Sequence, residues 1–95
     1  MRGFRGTRRS SVYREHTVSS AAFVRIAATA GRLGLGSFAL GDLEKRQARR
    51  LADDLGSIRT SLELPELDAD LTALAEVARW CSRGSGDGWL TIEET

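Results

Sequence analysis

The sequence predicts an all-α chain: a small three-helix bundle built on an antiparallel helical hairpin, with room for a short C-terminal strand. Three observations carry this reading. Ala48, Leu51, Leu55, Ile58 and Leu62 form one apolar stripe, stepping by three and four residues, the spacing that lines one face of a helix. Leu67, Leu71, Leu74, Ala78 and Cys81 form a second, and the helix-breaking Pro65 separates the two, so the stripes should fold back on each other. A third stripe, Val18, Ala22, Ile26 and Ala30, supplies the remaining helix.

Ninety-five residues suit one domain with a modest core. It divides into a basic N-terminal arm at 1–16, a helical core at 17–83, and a Gly-rich turn with a strand or tail at 84–95. With 41% apolar and 28% charged residues, the composition is not that of a disordered chain. The charge is lopsided. Residues 1–50 carry eleven Arg or Lys against Glu15, Asp42 and Glu44, a balance of +8, whereas residues 51–95 carry three Arg against ten acids, a balance of −7. Such asymmetry fits an internal match, a head-to-tail contact between copies, or a basic arm for an anionic partner. The lone Cys81 excludes an internal disulfide and reads as a buried, inert thiol. Arg25 and Arg32 interrupt the apolar run from Val18 to Leu40, and each costs about 3 kcal/mol near a bilayer centre. Polar residues follow the N-terminal arginines. Neither a membrane anchor nor a signal peptide is expected, and the expected compartment is the cytoplasm.

Along the chain, residues 1–10, MRGFRGTRRS, lack periodicity and read as a loose arm whose arginines can meet phosphate. Residues 11–16 hold the β-prone Val12 and Tyr13 in a piece too short to assign. His16, the only histidine, has no His, Cys or Asp cluster beside it, which argues against metal binding or catalysis. The first predicted helix starts at a Thr17 or Ser19 cap and ends near Arg32, with Phe23 and Leu33 broadening its stripe. Ala27, Ala30, Gly31 and Gly34 fall at spacings that permit close helix approach. Residues 31–41 are glycine-rich. They lack the βαβ context of a dinucleotide loop and the Gly-Lys-Ser or Gly-Lys-Thr of a phosphate loop. They read as a helix C-cap and turn that folds Leu35, Phe38 and Leu40 onto the core.

The second predicted helix starts at Ser37 or Asp42 and reaches Leu62. Lys45, Arg46, Arg49 and Arg50 precede Asp53 and Asp54 by about one turn, and Gly56 costs up to about 1 kcal/mol if the helix is continuous. The third begins at Pro65 or Asp68 and runs to Arg83. Its acids lie at the start and Arg79 and Arg83 at the end, as the helix dipole favours. Residues 83–94 carry part of a calcium-loop spacing, but Arg83 occupies the first ligand position. Trp89 to Glu93 therefore reads as a strand, whose partner is either residues 11–15 or the same strand of another copy.

Within the second helix, Ala52 precedes Gly56 by one turn, and Leu51 and Leu55 accompany them. On these residues the stretch 47–63, QARRLADDLGSIRTSLE, resembles the core of a helix-turn-helix DNA-binding motif. The resemblance implies a turn at Gly56 and a recognition helix presenting Arg59, Thr60 and Ser61 to base edges.

No catalytic, cofactor-binding or metal-binding residue emerges. The leading expectation is a non-enzymatic protein-interaction or scaffold module. Leu51, Leu55, Ile58, Leu71, Leu74, Trp80 and Trp89 are its expected core and self-association residues, and it would associate through apolar helix faces and a basic-to-acidic charge match, with another copy as partner. The alternative is a DNA-binding regulator contacting nucleic acid through Arg5, Arg8, Arg9, Arg49, Arg50 and Arg59.

Overall fold

The computed structural model describes residues 1–8, 12–35, 41–83 and 88–94. It corrects the all-α expectation. Three helices pack against a four-stranded antiparallel sheet, an α+β architecture rather than a three-helix bundle. The elements are β1 (Arg2–Arg8), β2 (Val12–Val18), α1 (Ser20–Arg32), β3 (Gly41–Glu44), α2 (Lys45–Thr60), a 3-10 turn (Pro65–Leu67), α3 (Asp68–Ser82) and β4 (Gly88–Glu94). The sheet order is β2-β1-β4-β3, so the first and last strands pair at its centre.

The stretch 1–10, expected as a loose arm, supplies β1, and the β-prone piece at 11–16 supplies most of β2. Arg2 lies opposite both Val18 and Glu94, and Gly6 opposite both Arg14 and Leu90. Phe4 anchors the strand at 1% exposure, its ring centroid 6.1 Å from that of Phe23 on α1. A Cβ at Gly6 would sit 3.0 Å from Cys81 Cβ and 3.0 Å from the Val77 carbonyl oxygen, so glycine is what lets β1 lie this close to α3. Glycines weaken a strand's intrinsic preference and blur its alternation, and the ladder forms through partners about ninety residues away. Local reading therefore misses it. β4 was expected to pair with residues 11–15 or with another copy; it pairs instead with β1 and β3.

The helices follow the stripes more closely. Ser19 caps α1, its Oγ accepting from the Ala22 amide at 3.1 Å, and Ala22, Phe23, Ile26 and Ala30 are buried. Leu33 is 41% exposed and lies off the core, while Gly34 closes the helix end at φ 71°. A Cβ at Gly31 would meet nothing within 4 Å, so the small-residue spacing there brings no helix close. α2 begins at Lys45, behind a Glu44–Gln47 capping box, and runs unbroken through Gly56 to Thr60. Leu62 does not extend the stripe; it turns the chain at φ 60° and is 77% exposed, and Leu64 is buried instead. Pro65 opens the 3-10 turn that leads into α3. The α2–α3 seam, Phe4, Leu90 and Ile92 belong to one hydrophobic cluster. Phe38, Leu40, Ser37 as a helix start, and residues 84–87 of the calcium-like stretch lie outside the described residues.

Candidate protein-interaction surface

Side chains alternate across a sheet. Phe4 and Gly6 of β1 face α1 and α3, and Leu90 and Ile92 beside them are buried. On β2, His16 reaches Asp70 of α3 at 2.9 Å, and the Arg14 guanidinium lies 5.6 Å from the ring centroid of Trp80. All three helices therefore occupy one face. Arg5 and Thr7 of β1, Glu15 and Thr17 of β2, and Trp89, Thr91 and Glu93 of β4 point the other way, and no described helix covers them.

Trp89 sits on an inner strand near one end of this face, with Thr7 opposite on β1 and Glu44 opposite on β3. It is 37% exposed, among the few large apolar side chains left in contact with solvent. Arg5 Nη1 lies 3.7 Å from Glu93 Oε1, and with both side chains at least 40% exposed the pair contributes at most about 1 kcal/mol. Among the described side chains of the face, Arg5 set against Glu15, Glu44 and Glu93 is one positive charge against three negative, a net −2. At about 4.8 Å per strand and 3.3 Å per residue, the face measures roughly 19 by 23 Å.

The expected association residues divide. Leu51, Leu55, Ile58, Leu71 and Leu74 are 0–6% exposed and hold the core together, so in the folded chain they are not an association surface. Trp80 packs partly buried against the core. Of the seven, only Trp89 reaches the open face. Its neighbours on the face, Thr7 and Thr91, were not singled out from the sequence; the alternation of Trp89, Thr91 and Glu93 with buried Leu90 and Ile92 was the one signal.

The expected nucleic-acid residues do not share a surface either. Arg5 is on the sheet face and Arg49 donates to the Ser82 carbonyl at 3.4 Å, while Arg50 is exposed on α2. Arg59, near the far end of α2, donates from Nε to Asp68 Oδ1 at 2.6 Å. That hydrogen bond first, and the carboxylate's charge second, raise the Arg59 pKa above its ordinary value. Arg8 contributes backbone to β1, and Arg9 lies outside the described residues. With α2 continuous through Gly56, the turn that the helix-turn-helix resemblance requires is not made.

Pairing inside the chain consumes much of the charge asymmetry. Arg2–Glu94, Arg5–Glu93, Arg25–Glu66 and Arg32–Glu63 each join the basic half to the acidic half, and His16–Asp70 does the same when the imidazole is protonated. A groove of about 550 Å³ runs beside Gly56, Ser57, Thr60 and Arg79, and a second of about 250 Å³ beside His16 and Glu76. His16 is oriented by a carboxylate, yet among the described residues no hydroxyl or thiol bonds to its ring; the Cys81 thiol is buried and donates to the Ala78 carbonyl. Among the described residues no three His, Cys, Asp or Glu side chains gather in a metal-binding group. Nor is any described helix long and apolar enough to cross a membrane. The arrangement suits recognition over a flat surface. Comparison with protein-family models, curated proteins and solved structures returns no match for this chain.

Proposed function

We propose that the chain is a non-enzymatic protein-interaction module whose contact surface is the sheet face that carries Trp89. One observation carries this: among the described residues the helices lie on a single side of the sheet, and a tryptophan stands 37% exposed on the other. Tryptophan combines a large apolar body with a donor, and it dominates protein interfaces when a partner desolvates it. The net −2 on the described face repels phosphate, which favours a protein over a nucleic acid. The cytoplasm is the compartment this reading assumes, where the single thiol of Cys81 stays reduced.

Photo-crosslinking tests it. Benzoyl-phenylalanine is placed at Thr17, exposed on the open face, and separately at Ala28, exposed on α1. Irradiation in the cell of origin should give discrete protein adducts from position 17 and none from position 28. Equal adducts from both positions, or none from position 17, reject the sheet face as the contact surface.

A further inference from the structure

We infer that the partner of the sheet face is a second copy of this chain, docked through the basic outer surface of its helical hairpin. The inference rests on the reading of the sheet face given above. After the internal ion pairs form, one cluster of positive charge is left over. Arg46 and Arg50 lie near the start of α2, Arg79 and Arg83 near the end of α3, and all four are exposed. The helices run antiparallel, and the Arg49 contact to the Ser82 carbonyl shows that these two ends are adjacent. None of the four forms an ion pair with a described residue, and Asp53, which shares the groove beside Arg79, leaves the cluster at net +3. The opposite side of the molecule is the flat face with net charge −2 and an exposed indole.

The two surfaces match in charge and in chemistry. Guanidinium groups stack on an indole while pairing with the carboxylates around it. The contact is heterologous, so each copy gives its hairpin to one neighbour and its sheet to another, and the layers repeat as helix, sheet, helix, sheet. Each sheet thereby gains the second covering layer that its own chain does not provide. The face measures about 19 by 23 Å, so the contact buries roughly 900 Å² in total, the range of weak and transient association. Attraction of this kind is screened as the Debye length falls from about 30 Å at 10 mM salt to about 10 Å at 0.1 M.

Sedimentation velocity on the full chain tests this with two variants. One carries Trp89→Thr and Glu15→Lys on the sheet; the other carries Arg46→Glu and Arg50→Glu on the hairpin. The wild type should sediment faster as its concentration rises at ~10 mM salt, and this dependence should fade above ~0.1 M. Each variant alone should stay monomeric. An equimolar mixture should recover a dimer and nothing longer, because one intact sheet then meets one intact hairpin. Circular dichroism confirms folding, and Arg46→Gln with Arg50→Gln replaces any charge-reversed variant that unfolds. A wild type that stays monomeric at low salt overturns the inference, as does a mixture that recovers no dimer, or arginines that instead retain duplex DNA in a gel. Adducts from Thr17 to a different protein, in a chain that does not self-associate, would leave the sheet-face reading standing and remove only this partner.

Discussion

Two glycine-to-alanine substitutions should move stability in opposite directions. At Gly6 a new Cβ would sit 3.0 Å from both Cys81 Cβ and the Val77 carbonyl oxygen. Carbon contacts settle at about 3.5–4.0 Å, so β1 or α3 must shift by roughly half an ångström. α3 resists, because Leu71, Leu74, Ala78 and Cys81 are 0–1% exposed and packed against α2 and the sheet. Overpacking of this kind costs about 1–3 kcal/mol, and the backbone preference for Ala over Gly returns about 0.5–1. Gly6→Ala should therefore destabilise by about 1–2 kcal/mol. At Gly56 a Cβ would meet nothing within 4 Å, and the residue lies inside a continuous helix. Gly56→Ala should stabilise by about 0.5–1 kcal/mol. For a domain of this size the two midpoints should differ by roughly 10–20 °C. Thermal and urea unfolding followed by circular dichroism measure both, with an unchanged denaturant slope confirming that only stability moved. A Gly6→Ala protein as stable as the wild type would refute the close approach of β1 to α3. A destabilised Gly56→Ala would mean that the backbone turns there, which would restore the helix-turn-helix geometry.

Three further outcomes follow from the same packing. Leu62→Gly should stabilise by about 1 kcal/mol in urea unfolding, because an exposed leucine at φ 60° occupies a conformation that glycine adopts without strain; a loss of stability would contradict this turn. Leu74→Ala should cost about 2–5 kcal/mol, with a shift in midpoint that does not depend on protein concentration, since Leu74 is 0% exposed within one chain. A concentration-dependent shift would return the residue to an interface between copies. Cys81 should resist thiol-reactive dyes in the native protein and react only as the chain unfolds, as its burial against the Ala78 carbonyl implies; prompt labelling of the native protein would place it elsewhere.

The legible part of the fold was the part governed by neighbours in sequence. Residues three and four apart share a helix face whatever the rest of the chain does, so the stripes through Leu51, Leu55, Leu71 and Leu74 gave the hairpin, and Ser19 gave the cap. The sheet depends on residues far apart. β1 contains two glycines and a single large apolar residue, Phe4, and no periodicity announces that Arg2 will lie opposite Glu94. A weak signal was present at the chain ends, where Arg2 and Arg5 answer Glu93 and Glu94 in charge. Of the candidate surface, Trp89 was legible because aromatic residues are few, but its surroundings required knowing which side of the sheet the helices take. The helix-turn-helix resemblance failed for a local reason. Leu55 and Ile58 on either side of Gly56 keep the helical spacing, and the helix absorbs the glycine rather than turning at it.

The uneven charge along the sequence becomes a different property once the chain is folded. Read in order, it describes a molecule with a cationic front and an anionic rear. Pairing β1 with β4 removes that separation by laying the front against the rear, and four arginine–carboxylate pairs close across the boundary. What remains for a partner is set by which charges folding leaves unmatched. Arg46, Arg50, Arg79 and Arg83 remain because α2 and α3 bring their own basic ends together, where four arginines outnumber the one acid, Asp53, that shares the groove beside Arg79. Glu15 remains because β2 turns it away from the helices, whereas the Glu44 carboxylate at the edge of the same face also caps the start of α2. The apolar stripes are spent on the core in the same step. Association through those leucines would require the fold to open, whereas association through the leftover charges and Trp89 leaves it intact.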